Sequence, residues 1–150
     1  VAKLRTHNAL LAIRTYLMAQ IPVEMTAIGL TSRIQDWLLG RNDPDRLYNY
    51  DACLIATIPE RVAPLTPEQT IRSLADVAFV VRGSTEEEVM QRQIGYGDAT
   101  INMVQADRTL GGAVFECTAW NPEIEMPAPG AKQTGITVVR LQIELNLLGG

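Results

Sequence analysis

The chain has 150 residues, 47% of them apolar and 20% charged, with a formal net charge of -4. That length suits a single domain with its own core, and the balance of apolar and charged residues excludes a disordered or fibrous chain. The acidic surplus, without any cluster of Lys and Arg, speaks against general or sequence-specific nucleic-acid binding, which rests on neutralising phosphates.

In chain order, the first element is a helix over Ala2–Gln20. Leu10, Ile13 and Leu17 share one face, Leu11 and Met18 flank it, and Pro22 is expected to end it. The apolar run Ala9–Ile13 is broken by Arg14, too early for a signal-peptide core, and no apolar run approaches the ~18 residues that cross a bilayer. Residues 23–50 read mostly as loop, with a short helix or strand within Arg33–Leu39. "GRNDPDR" follows as a breaker. "YDACLIATIP" is a compact apolar run between turn residues and predicts a buried strand. Thr70–Arg82 predicts a long strand with Ile71, Ala75, Val77, Phe79 and Val81 on its apolar face.

"GSTEEE" opens the second helix. Thr85 with Glu88 three residues on makes a capping box, and Glu86, Glu87 and Glu88 complement the positive end of the helix dipole. Met90, Ile94, Gly97, Ile101 and Val104 recur at steps of four and three, the spacing of one packed face. Gly95 and Gly97 each weaken a helix by about 1 kcal/mol relative to Ala, so a close-packing role is expected of them. Val114–Trp120 is a third strand, with Phe115, Cys117 and Ala119 on one side. "NPEIEMPAPGAKQTG" reads as a long connection, and "TVVRLQIELNLL" as a strand whose Val139, Leu141, Ile143, Leu145 and Leu147 face the core. The fold class expected is α+β: a mainly antiparallel or mixed sheet with helices packed on one face, in one domain over residues 1–150.

Catalytic and metal-binding patterns are sparse. A nucleophilic triad would need His7, the single histidine, as its base, and His7 sits on a helix. The three consecutive glutamates point in different directions and cannot converge on one ion, while "NDPD" at Asn42–Asp45 lacks the glycine and distal glutamate of a calcium loop. Cys53 and Cys117 have no CxxC spacing and read as buried small apolar side chains. No catalytic residue, metal ligand or cofactor is expected, and the protein is not expected to be an enzyme.

"DRTLGG", Asp107, Arg108, Thr109, Leu110, Gly111 and Gly112, contains the paired glycines of a phosphate loop in the wrong order. A phosphate loop leads into a helix N-terminus, whereas here the helix comes first. The expectation is a structural turn: Gly111 and Gly112 supply left-handed backbone past the helix C-terminus, Asp107 and Thr109 bond nearby backbone groups, and Leu110 tucks under the last helical turn. The other candidate is the arm Glu123, Ile124, Glu125, Met126, Pro127, Pro129 and Lys132. Its prolines keep it extended, and its apolar side chains suit a segment that becomes ordered on assembly.

A strand, a "TEEE"-capped helix, "DRTLGG" leading into a strand, and a final alternating strand together resemble the tail terminator (tail completion) proteins of long-tailed bacteriophages. The resemblance spans Asp51–Leu148 and is sharpest at Asp107–Gly112; residues 23–50 lie outside it. It implies a structural virion subunit at the head-proximal end of the tail, assembled in the host cytoplasm. Such subunits form a ring, commonly a hexamer, that stops tube polymerisation and offers the head a docking surface. The partners implied are other copies of the chain, the tail tube protein and a head completion or neck protein. Two other readings stay open: a different head-to-tail joining or neck ring component, and a small enzyme with an inter-subunit site formed by Asp107, Arg108 and Glu116.

Overall fold

The computed structural model describes residues 5–40, 47, 50–57, 70–125 and 133–146. Among them lie two helices, α1 (Arg5–Ala27) and α2 (Glu86–Ala106). The strands are β1 (Asp36–Leu39), β2 (Ala52–Thr57), β3 (Thr70–Gly83), β4 (Glu116–Ala119), β5 (Glu123–Glu125) and β6 (Gln133–Asn146). The strands form one sheet in the order β1-β2-β3-β6-β4, with β5 also paired to β6. β1 runs parallel to β2 and every other pair is antiparallel, so the α+β class with a mixed sheet holds.

The spine of the sheet is the β3–β6 ladder, which runs from Thr70↔Asn146 to Gly83↔Gln133. Strict alternation along both strands turns Ala75, Val77, Phe79 and Val81 of β3 and Val139, Leu141, Ile143 and Leu145 of β6 to one face. Cys53 and Ile55 of β2 and Cys117 of β4 join them there, and both helices pack over that face to form the core. Phe79 stacks on Tyr96 of α2 with ring centroids 5.0 Å apart. Leu147 lies outside the described residues.

α1 does not stop at Pro22: it continues to Ala27 with the proline inside it. Ile21 and Met25 extend the stripe of Ala9, Leu10, Ile13 and Leu17 into the core, and burying them outweighs the backbone bond that proline cannot make. The residue four positions back, Met18, is exposed, so its carbonyl can turn to water. The helix ends in a Schellman motif. Leu30 N–H bonds Met25 C=O at 2.9 Å, Gly29 N–H bonds Thr26 C=O at 3.0 Å, and Gly29 takes the required positive φ of 84°. Within the region read as loop, the short element is the strand β1.

α2 starts where expected: Thr85 is the N-cap and accepts the Glu88 N–H at 3.2 Å. The return half of the capping box goes one residue further back, because Glu88 accepts the Ser84 hydroxyl at 3.0 Å. That hydroxyl and the Ser84 N–H hold the Glu88 carboxyl below the usual carboxylate range. The packed face overlaps the expected one only in part: Gly97 and Val104 are buried and Ile101 packs against the core, but Met90 and Ile94 are not buried. Val89, Gln93, Tyr96, Thr100 and Met103 are buried, each one residue before a member of the set Met90, Ile94, Gly97, Ile101 and Val104. One residue is about 100° around a helix. Met90 and Ile94 are consequently 38% and 44% exposed. Polar side chains face inward because the fold supplies their partners, described below.

Gly95 lets α2 approach the end of α1 and the segment after it rather than the sheet: a Cβ there would overlap the Leu30 side chain and stand 3.4 Å from Met25. Gly97 does face the sheet side, where a Cβ would stand 3.2 Å from Pro122 and 3.4 Å from Thr137 Cγ2. β4 is shorter than expected, and Phe115, placed by the alternation beside Cys117, lies before the strand and is 56% exposed. The connection "NPEIEMPAPGAKQTG" contains a further strand, β5, whose Glu123, Ile124 and Glu125 pair with Val138, Thr137 and Ile136.

Because Pro22 sits at a helical position without its own N–H, Pro22→Ala should raise stability by about 2 kcal/mol, the helix-interior cost of proline less its restriction of the unfolded chain. Urea unfolding of the two chains measures it, and an unchanged or lowered midpoint would mean that the ring itself packs usefully.

Candidate functional site

The "DRTLGG" segment winds into a self-contained turn. α2 closes at Asp107, whose N–H bonds Met103 C=O at 3.2 Å. The Asp107 carboxylate then accepts three bonds: Thr109 N–H at 2.9 Å, Thr109 Oγ1–H at 2.7 Å and Gly111 N–H at 3.0 Å. These donors, the Thr109 hydroxyl first, hold its carboxyl below the usual range. Leu110, Gly111 and Gly112 follow with φ of 50°, 69° and 89°. The glycines therefore serve a second turn after the helix cap, not the cap itself. Leu110 accepts a left-handed backbone because its side chain is anchored in the core. Val114 N–H returns to Thr109 C=O at 3.1 Å, and Phe115 N–H reaches Glu144 C=O at 2.8 Å, which starts the pairing to β6. Arg108 bonds Glu116 at 3.2 Å across the mouth of the turn, in an exposed ion pair of small energetic weight.

The second candidate, the arm, divides. Glu123, Ile124 and Glu125 form β5, so this part is sheet rather than free connection; Met126, Pro127, Pro129 and Lys132 lie outside the described residues. β5 is tied to α2 by Gln93, whose Nε2 donates to Glu125 C=O at 2.8 Å and Ile136 C=O at 3.1 Å. Thr137 Oγ1 donates to Gln93 C=O at 2.9 Å. Gly135 leaves the room this requires, since a Cβ there would overlap the Gln93 amide. Gln93 Oε1 is buried without a hydrogen-bond partner among the described residues.

The most concentrated polar chemistry lies elsewhere, in residues that the sequence reasoning passed over. Asp51, just before β2, is 1% exposed and Arg92 of α2 is 7% exposed. Arg92 Nε and Nη2 donate to Asp51 Oδ2 and Oδ1 at 3.0 and 3.3 Å, and Nη2 also donates to Arg82 C=O at 2.7 Å. Tyr96 OH donates to Asp51 Oδ2 at 2.6 Å and accepts Arg33 N–H at 3.0 Å. Burial, and then the Asp51 charge, push the Tyr96 phenol well above its ordinary range. The signal available in the sequence was Arg92 and Tyr96 at i, i+4 on one face of a helix, with Asp51 preceding an apolar strand. Nothing in a linear pattern joins a helix to a residue 41 positions earlier.

The arrangement is closed. Each oxygen of Asp51 has a donor, the guanidinium is shared between a carboxylate and a carbonyl, and the group has the geometry of a structural clamp. Cys53 and Cys117 are free and buried, and burial raises both thiols, Cys117 to about 12, as small apolar core side chains would be. Among the described residues no group of three or more His, Cys, Asp or Glu could hold a metal ion, and no helix is long and apolar enough to cross a membrane. Of the polar trio Asp107, Arg108 and Glu116, the last two form an ion pair, whereas Asp107 is directed into the backbone of its own turn. No protein-family model matches this sequence, and no curated protein matches it significantly.

Two measurements test these assignments. Arg92→Met should destabilise by about 3–5 kcal/mol because it strands the Asp51 charge, and adding Asp51→Asn should recover a substantial part; a double variant as unstable as the sum of the singles would show that the two residues act separately. In the turn, Gly111→Ala should cost more than Gly112→Ala. Both put a Cβ on left-handed backbone, but only the first meets another group, the Tyr16 ring at 3.0 Å. Equal thermal midpoints would contradict that packing.

Proposed function

We propose that this chain is a structural subunit of a long-tailed bacteriophage, a tail terminator that closes into a ring, commonly of six copies, on the head-proximal end of the tail tube. The resemblance at Asp107–Gly112 supplies the family. The observation that carries the reading is the inequality of the two sides of the sheet. Among the described residues the sheet ends in β1 and β4, which differ in direction relative to their neighbours, β1 being parallel to β2 and β4 antiparallel to β6. The β4 side displays two large exposed aromatics, Phe115 and Trp120, the latter 5.4 Å from the Arg140 guanidinium. Unlike sides favour a heterologous contact, in which one side of a copy meets the other side of the next, and such a contact closes into a ring when the rotation permits. A ring of this kind has two chemically different faces, which suits a part that meets tube on one side and a head completion or neck protein on the other.

Six chains of 16.5 kDa make a particle of about 100 kDa. Phages lacking the gene should carry tails of uncontrolled length or tails that never join heads, and purified protein should restore joining. Phe115→Glu protein, folded by circular dichroism, should restore it poorly. Normal tails on the deletion phage would remove the assignment.

A further inference from the structure

Among the described residues, the face of α2 turned from the sheet carries partly exposed apolar side chains, and its charged members are acidic. Met90 and Ile94 line a groove of about 390 Å³ with Ile28 and Leu30, which follow α1, and Glu87 and Asp98 are its charged members. Ile28, Met90 and Ile94 are 38%, 38% and 44% exposed, three sizeable apolar side chains in one depression. On the other flank of α2, Ile124 is paired with Thr137, whose hydroxyl points to the Gln93 backbone. Directly paired residues point to the same side of a sheet, so Ile124, itself 40% exposed, lies on the helix side of the sheet as a separate apolar side chain. Among the described residues no Lys or Arg lines the groove.

From this we infer that the α2 groove is a docking surface for a basic segment of another protein, one that places apolar side chains between Ile28 and Ile94 and Lys or Arg against Glu87 and Asp98. Charge decides among the occupants. Two copies meeting groove to groove would bring four carboxylates together, and like charges facing one another disfavour a symmetric contact. Anionic lipid and nucleic acid carry the wrong sign. A basic amphipathic helix or strand satisfies both the apolar floor and the acidic rim, in the manner of helix-in-groove recognition. This inference stands on the groove alone and does not require the ring.

The test is an amide-shift titration of the isotopically labelled full chain with a short amphipathic peptide of leucine and lysine, and with its leucine and glutamate counterpart. The leucine–lysine peptide should shift amides at 28–30 and 87–98, weaken with salt, and lose about tenfold in affinity with Ile94→Ser, the equivalent of one apolar anchor. The double substitution Glu87→Lys and Asp98→Lys should transfer binding to the glutamate peptide. Shifts on another surface, undiminished binding by the Ile94→Ser chain, or no binding at all would overturn the inference. So would self-association abolished by Ile94→Ser, or binding to phosphatidylglycerol vesicles through these residues.

Discussion

A carboxylate at Asp51 is out of water, and an uncompensated charge there would cost far more than any single apolar contact returns. The fold answers it with the Arg92 guanidinium and the Tyr96 hydroxyl, both from α2, and then satisfies those donors' neighbours in turn through Arg82 C=O and Arg33 N–H. Four parts of the chain thereby become one unit: the segment before β1, the entry to β2, the end of β3 and the first half of α2. Gln35 N–H adds a bond to Asp51 C=O at 3.1 Å, holding the approach to β1 on the same residue. Such a clamp is weak evidence for high stability, since an apolar replacement of equal shape can match it, whereas removing one partner alone leaves a buried charge.

That clamp explains the orientation of α2. For Arg92 and Tyr96 to reach Asp51, and for Gln93 to reach β5 and β6, the helix turns its polar-containing ridge to the sheet. Val89 and Met103 supply the apolar ends of that ridge, and Phe79 stacks on the Tyr96 ring between them. Among the described residues the cost of burying polar side chains is offset bond by bond, with Gln93 Oε1 as the exception. The consequence is felt outside: Met90 and Ile94, which a helix packed by hydrophobicity alone would bury, are displayed to solvent beside Ile28. Interior electrostatics and exterior stickiness are two results of one helix rotation.

The turn after α2 performs the opposite task, keeping itself satisfied so that its neighbours can be used. Asp107 and Thr109 bond their own backbone, Leu110 is anchored in the core, and Gly111 fits under Tyr16, so the chain leaves the helix and enters β4 at a set angle. The turn thus presents Phe115, which is exposed, at the start of β4, and Trp120 lies at the strand's far end. In the assembly proposed above these side chains would be available for contact without any chemistry at the turn.

Local patterns carry much of this structure. The alternation of β3 and β6, the Thr85 cap and the positive φ of Gly111 and Gly112 each depend on residues close in sequence, so their periodicity and turn chemistry were legible without a fold. The extent of α1 was legible too, had the Ile21 and Met25 spacing been followed through Pro22, because core burial at i and i+4 outweighs one lost bond. The sense of α2 was not. Met90 and Ile94 are more apolar than Arg92 and Gln93, and only the three-dimensional proximity of Asp51 to Arg92 and Tyr96, and of Glu125 and Ile136 to Gln93, turns the polar-containing side of the helix inward. Hydrophobic period reports what a segment would do against an apolar neighbour. Which neighbour it meets, and whether that neighbour holds a charge or a free carbonyl, is decided by contacts between residues tens of positions apart, and tertiary structure alone supplies them.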